Sequence, residues 1–367
     1  MVQDKTTDSA ISLPKISFKL QELALLDLAF IDISSDNQFE ISNVSFQAKD
    51  ISLEHQNNLS TSVFLSIKEA DKTIVELDTD IAIDFLIDRI KNQIDINSLQ
   101  INSKATHGHF KKLPIKLSVA ASYNLSKSFA NLKSLKLETG DFLTFNADGK
   151  IDLNQESMNG DINISLVSPD LKPPLEKLDL NFLQNSLPLD LKIKASMEGE
   201  KYTIQEFKLQ AQKTELLSKK ISFMNDDSGI FEITAGLKSD SLRELLSTFG
   251  VQVLDNPKLD LDLTLNGALS TQEVDLDLNG YLNDLSYSLT GDVINTNSVD
   301  EFDIIAKLNI SSPDIVQEMR VFTEVAYPTI VPLDITLDIS ADVKGDRAIV
   351  NHINFDLNDN FNISIDG

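Results

Sequence analysis

Leu259-Asp-Leu-Asp-Leu-Thr-Leu265 alternates leucine with a polar residue along its whole length. Because successive side chains of a β-strand point to opposite faces, this stretch predicts a strand with one leucine face and one polar face. Leu189-Asp-Leu-Lys-Ile-Lys-Ala195 and Leu333-Asp-Ile-Thr-Leu-Asp-Ile339 follow the same pattern. The sequence therefore predicts antiparallel strands that share one apolar face.

Glycine interrupts the alternating stretches, often directly after Asn or Asp. This pairing suits the tight turns of β-hairpins, so the chain is predicted to fold as a succession of antiparallel hairpins. The predicted turns are Asp148-Gly149, Asn159-Gly160, Glu198-Gly199, Asn266-Gly267, Asn279-Gly280 and Lys344-Gly345.

A longer period overlies the strands. Ser168-Pro-Asp-Leu171, Ser239-Asp-Ser-Leu242 and Ser312-Pro-Asp-Ile315 each follow an alternating stretch, and their last residues lie 71 and then 73 positions apart. Each is followed by a short segment and a proline-led strand, so we expect repeated units of about 70 residues. The predicted organisation is a disordered lead (1–11), an N-terminal β-rich region (12–140) and a repeat region (141–367) with units at about 150–222, 223–295 and 298–367.

Each repeat signature also predicts a short helix. In the second unit, Ser241 and Glu244 have the spacing of a capping box, and Gly250 supplies a stop. The apolar residues between them have helical spacing: Leu242, Leu245, Leu246 and Phe249. In the third unit Ser312 is the expected N-cap, with Pro313 at the first helical position. In the first unit Pro173-Pro174 opens the helix.

Composition limits the classes of function. The 32 basic and 57 acidic residues give a net charge of -25, which disfavours nucleic acid and broad adhesion to anionic membranes. Because the chain has no cysteine, disulfides and thiolate metal sites are excluded. Met1–Ala10 lacks the features of a signal peptide, and no apolar run approaches the length of a membrane span, so the chain is expected to be soluble. Its end at Ile363-Ser-Ile-Asp-Gly367, within an alternating stretch, suggests a piece of a longer protein.

The region from Ile233 to Val251, together with Leu259–Gly267 and Val274–Gly280, resembles the C-terminal region of AsmA-family proteins. There a strand, a short helix ending in Phe or Leu and Gly, and an alternating strand recur in this order. Leu13-Pro-Lys-Ile-Ser-Phe-Lys-Leu20 is also similar to the strand phrases of the family. The resemblance covers 140–295 best and 12–367 loosely.

This resemblance implies a periplasmic protein of the Gram-negative envelope, related to the TamB-like group and held at the inner membrane by an N-terminal anchor that this chain lacks. Family members take part in outer-membrane biogenesis and in lipid transport along an apolar β-groove. No catalytic residue or cofactor carries over. The resemblance thus predicts a non-enzymatic protein that holds or conducts phospholipid between the inner and outer membranes.

The expected fold is mainly β with short α-helices, an elongated repeat of antiparallel hairpins forming a curved, groove-like sheet. Its aliphatic face can line a lipid groove or pack as a dry core, in which case the chain is a structural or adhesive secreted β-repeat module. The helix stripe is either core or a cap over the groove. The candidate groove residues are Leu189, Leu191, Ile193, Leu261, Leu263, Leu265, Leu333, Ile335, Leu337 and Ile339.

Other polar constellations are expected to be surface features. His107 and His109 lack a nearby third metal ligand, and no metal or cofactor site is predicted. Carboxylate pairs such as Asp260 and Asp262 fall on the solvated positions of an alternating strand. No sequence pattern of a nucleotide-binding or hydrolase site is present, so an enzyme is not expected.

Overall fold

The computed structural model describes residues 19–32, 37–53, 55–69, 72–107, 110–153, 158–252, 256–271, 273–295, 302–316, 334–344, 347–358 and 361–366. The chain forms two compact units, Met1–Leu180 (unit 1) and Asn181–Gly367 (unit 2). The predicted region boundaries stay predictions, since the division into units concerns compactness and not the sequence repeat.

Unit 1 is an antiparallel succession of long strands in which each strand pairs with the next along the chain. A short helix, α1 (Lys172–Lys177), follows the last strand. The strands are β1 (Lys19–Asp32), β2 (Asn37–Ser52), β3 (Gln56–Glu69), β4 (Lys72–Asp88), β5 (Gln93–His107), β6 (Phe110–Asn124), β7 (Phe129–Thr139), β8 (Leu143–Asp152) and β9 (Asn159–Ser168).

Unit 2 continues with the same next-neighbour antiparallel pairing. Helix α2 (Leu242–Thr248) lies between β13 and β14, and residues 315–316 are helical after β17. The strands are β10 (Leu189–Glu198), β11 (Lys201–Ala211), β12 (Thr214–Met224), β13 (Ile230–Ser239), β14 (Leu259–Ala268), β15 (Glu273–Leu282), β16 (Leu285–Asn295), β17 (Phe302–Ser312), β18 (Ile335–Lys344), β19 (Arg347–Leu357) and β20 (Phe361–Asp366). The predicted class, a mainly β repeat of antiparallel hairpins with short helices, is confirmed.

The helical inserts recur every four strands, after β9, β13 and β17. The strand before each insert ends at a serine of the repeat signature, and all three serines are buried, with exposures of 1% for Ser168, 2% for Ser239 and 0% for Ser312. The hydroxyl groups of Ser239 and Thr214 lie 2.7 Å apart on neighbouring strands. Each of the three strands that precede a helical insert therefore ends at a small, buried polar residue.

Most of the predicted glycine turns are wrong. Gly149, Gly160, Gly267 and Gly280 lie inside strands, whereas Gly199 occupies a turn with φ +59°. The remaining candidate, Lys344-Gly345, extends outside the described residues. Other turns in the described part of the chain contain residues with positive φ, among them Asn92, Gln212 and Asn283 and also Gly140 and Gly229. Asn tolerates this left-handed conformation through its short polar side chain, so glycine is not required there.

Ser241 is the N-cap of α2, as predicted, but the hydrogen bond of the predicted capping box is absent. The Ser241 hydroxyl makes no cap hydrogen bond to the helix and instead donates to Asn256 Oδ1 at 2.7 Å, while Glu244 accepts from Lys213 Nζ at 2.6 Å. In the third unit, the Asp314 amide donates to Ser312 Oγ at 3.3 Å and the helical residues begin at Ile315, later than expected. The predicted stop at Gly250 is confirmed, since its φ is +81°.

Both helices end with the same hydrogen-bond pattern. At α2, Val251 donates to the Leu246 carbonyl and Gly250 to the Ser247 carbonyl, which is a Schellman motif. At α1, Leu180 donates to Leu175 and Asp179 to Glu176. Pro173 lies in the first turn of α1, as the sequence predicted.

Candidate functional site

The register of unit 2 determines which side chains share a face. Residues directly opposite each other in an antiparallel pair point to the same side of the sheet. Leu263 on β14 lies directly opposite Leu278 on β15 and Ala235 on β13, and the residues opposite these can be followed from strand to strand. The full row is Ile193, Phe207, Ser218, Ala235, Leu263, Leu278, Leu289, Leu308, Ile339, Ile353 and Ile365.

A second row lies two residues away along every strand. It crosses all the described strands of unit 2, and Gly280 is its only residue without a side chain. Its members are Leu191, Leu209, Leu216, Leu237, Leu261, Gly280, Tyr287, Ile310, Leu337, Phe355 and Ile363. Together with the flanking rows of Leu265 and Leu259, these side chains form what we call the apolar face of unit 2.

This register brings nine of the ten predicted groove residues onto the apolar face. Leu189, Leu191 and Ile193 lie on β10, Leu261, Leu263 and Leu265 on β14, and Ile335, Leu337 and Ile339 on β18. The tenth, Leu333, lies outside the described residues. That these side chains contact lipid stays a prediction.

The apolar face is only half-buried. All nine side chains have intermediate exposure, and the strand β20 carries exposed apolar side chains, Phe361 at 52%, Ile363 at 41% and Ile365 at 55%. Among the described side chains of both units, the buried apolar residues are Ala48, Ala147, Leu183 and Leu187. None of these belongs to the strands of unit 2, so the described strands there contain no buried aliphatic layer.

The opposite face of the same strands is polar and partly ion-paired. Asp260 accepts from Lys238 Nζ, and Asp262 from Lys219 Nζ, both at 2.9 Å. The hydrogen bond and the charge of Asp260 raise the pKa of Lys238 above its ordinary value. Lys220 pairs with Glu232. The carboxylates and lysines that alternate with leucine thus form a solvated face.

Two aromatic side chains on the apolar face cover glycines on the neighbouring strand. A methyl group at Gly267 would lie 2.6 Å from Cζ of Phe231, and one at Gly280 would lie 2.6 Å from the hydroxyl of Tyr287. Burial, and then the charge of Asp260, raise the pKa of Tyr287. Phe231 and Tyr287 were not predicted from sequence, although a glycine inside an alternating stretch can indicate an aromatic side chain packed over it.

Helix α2 is attached at one end of the strands of unit 2. The Gln184 amide donates to the Thr248 carbonyl at 2.7 Å, and Gln212 Nε2 donates to Thr248 Oγ1 at 2.7 Å. Gln212 belongs to the turn between β11 and β12, which places the helix beside that turn. Of the predicted stripe, Leu242, Leu245 and Leu246 are half-buried, whereas Phe249 is 48% exposed. That the helix caps a groove stays a prediction.

The histidines make local polar contacts. His107 Nδ1 lies 3.2 Å from the Ile74 carbonyl oxygen, and His352 Nδ1 lies 2.7 Å from Asp366 Oδ1. His109 falls outside the described residues. In the part of the chain that the structure describes, no group of three His, Asp or Glu side chains converges as metal ligands.

Among the described residues, no helix has both the length and the apolarity needed to cross a membrane. No protein-family model matches the chain, and neither does a curated protein or a solved structure.

Proposed function

We propose that this chain is a non-enzymatic, AsmA-like protein of the Gram-negative periplasm that holds or conducts phospholipid along the apolar face of unit 2. The observation that carries the proposal is an apolar face continuous over eleven strands, β10 to β20, in which every predicted lining residue that is described stays half-exposed. A face of this kind favours a mobile apolar ligand over permanent packing.

Acyl chains fit the chemistry of this face. Its rows are mostly Leu and Ile, and the chain has no tryptophan. Burying each methylene of an acyl chain against aliphatic side chains contributes about 0.8 kcal/mol. The carboxylates lie on the opposite face, so an entering chain meets no charge along the two rows.

Unit 1 has an apolar row of the same kind, which supports a function shared by both units. Its members are Leu25, Phe46, Thr61, Ile81, Ile101, Leu117, Leu137, Phe145 and Leu166. On β1 the member of this row, Leu25, is exposed to solvent, at 48%.

The envelope setting and the outer-membrane role within this proposal rest on the strand–helix–strand phrase between Ile233 and Gly267. The alternative, a structural or adhesive module with a dry core, requires a second apolar layer on these strands. The half-exposed leucines of β14 favour the lipid-holding function instead.

The test is native mass spectrometry with lipid extraction on the chain expressed in a Gram-negative periplasm. We expect co-purified phospholipid, which is lost when Leu261, Leu263 and Leu265 are all changed to Asp. The control is Thr264→Asp, which places a carboxylate on the opposite face of β14 and should keep the lipid, and Leu263→Asp is the single-charge variant matched to it. A folded protein that is reproducibly free of lipid, with circular dichroism unchanged, would contradict the proposal.

A further inference from the structure

The polar face changes character between β15 and β19. On β10–β13 it is held by ion pairs such as Lys194 with Glu206 (2.7 Å) and Lys208 with Glu215. From β16 onward, most side chains of its two central rows are hydroxyls and amides. Ser288, Asn309 and Asp338 are directly opposed on three neighbouring strands.

A second polar row runs beside the first. It joins Thr290, Lys307, Ser340 and His352 on four neighbouring strands. Both rows line a shallow cavity of about 450 Å³. Neighbouring strands are about 4.8 Å apart, so the hydrogen-bonding side chains of each row are spaced by this distance. The spacing is close to the length of one pyranose unit along an extended saccharide chain.

A smaller hollow of about 150 Å³ adjoins this cavity and shares Ser288 and Asn309 with it. Tyr281 lines this hollow and is 59% exposed. An exposed tyrosine ring offers an apolar plate with a polar tip, which suits stacking against the carbon–hydrogen face of a sugar. We refer to the cavity and the hollow together as the polar trough.

The charges of the polar trough select against ionic ligands. Lys307 and Asp338 offset each other, and the remaining polar side chains that line the larger cavity are hydroxyls, an amide and His352. An anion would meet Asp338 and also Asp277 and Asp366, which continue the second polar row at its two ends, and a divalent cation would meet Lys307. The favoured ligand is therefore uncharged and rich in hydroxyl groups.

We propose that the polar trough binds a neutral saccharide chain, with Tyr281 as the stacking plate and Ser288, Asn309 and Ser340 as hydrogen-bonding groups. Its stacking and hydrogen-bonding side chains lie on the face opposite to the proposed lipid-binding rows, although Leu308, Ile339, Gly280 and Tyr287 of those rows also line the trough. The proposed saccharide binding is a separate activity from lipid holding. The two faces would give the protein one apolar and one carbohydrate ligand.

The test is isothermal titration calorimetry of the full chain with maltose, maltohexaose and cellohexaose. We expect at least one hexasaccharide to bind with a Kd of about 1 mM or tighter, and more tightly than a disaccharide. Tyr281→Ala should weaken that binding roughly tenfold, equivalent to about 1.4 kcal/mol. Asn309→Ala should weaken it as well.

The matched control is Asn266→Ala, an exposed amide on the same face of β14 outside the trough, which should leave the affinity unchanged. Asn309 is hydrogen-bonded to Asp338, so its removal can disturb the strands. Because Tyr281 is exposed, Tyr281→Ala should stay folded, and it tests the proposal even if Asn309→Ala unfolds. The proposal is overturned if neither hexasaccharide binds, if maltose binds as tightly as the hexasaccharide that binds, or if Tyr281→Ala binds that hexasaccharide like the control. None of these results depends on lipid binding.

Discussion

Glycine is required at certain positions inside the strands because of the atoms that pack against it. Gly267 and Gly280 are predicted in turns from sequence, because glycine after Asn is a common turn signal. Inside a strand, the missing Cβ instead makes room for an aromatic ring and for a close partner carbonyl. The oxygen of Asp260 would lie 2.6 Å from a methyl group at Gly280. Local sequence could not distinguish these roles, because the covering ring comes from another strand.

Gly280→Ala should therefore destabilise unit 2. The new methyl group would meet the Tyr287 ring and a backbone oxygen, and overpacking of this kind costs about 1–3 kcal/mol. Urea unfolding followed by circular dichroism measures the loss.

Gly236→Ala is the matched control for this change. There the nearest atom to the new methyl group is the carboxylate oxygen of Asp262, at 2.9 Å on an exposed side chain that can move away. Ala also restricts the unfolded chain, so this variant should be neutral or slightly stabilising. Equal losses for the two variants would contradict the role given to Tyr287.

At the scale of elements, alternation predicted the strands and their faces well. Leu259–Ala268 forms a strand, and its leucines share one face with those of β10 and β18. The helix after Ser239 was also predicted, and it begins as expected with Ser241 at the N-cap, but the predicted capping hydrogen bond is absent. Ser241 has a partner in Asn256, which follows the helix in sequence, and that tertiary contact replaces the local capping bond.

The end of α2 depends on Gly250. Its φ of +81° is costly for any residue with a Cβ, and a methyl group there would lie 3.2 Å from Cγ of Gln184. Gly250→Ala should cost about 1 kcal/mol. It should also speed hydrogen exchange of the Val251 amide, which donates to Leu246.

Ser247→Ala serves as the control within the same helix. Its hydroxyl donates to the Glu244 carbonyl inside the helix, so alanine should keep or slightly strengthen the helix. Unchanged exchange at Val251 in Gly250→Ala would show that the Schellman motif does not hold the helix end.

At the scale of the whole molecule, each unit is a series of neighbouring antiparallel strands with an apolar row, and in unit 2 the opposite face is polar. This much follows from the sequence, because strict alternation fixes the faces once strands pair in order. What occupies the apolar face does not follow, since an aliphatic row is equally suited to protein packing and to lipid. The partial exposure of Leu261 and Leu263 is a structural observation that alternation alone cannot supply.

The central claim is that lipid contacts one face of β14 and not the other. The most direct measurement is photo-crosslinking in a Gram-negative periplasm, with a photoreactive amino acid placed at Leu263 or at Thr264, followed by mass spectrometry of the adducts. The two positions are adjacent in sequence, both are half-buried, and they point to opposite faces. We predict phospholipid adducts from position 263 and none above background from position 264. Equal labelling at both positions, or labelling only at 264, would contradict a lipid-holding apolar face.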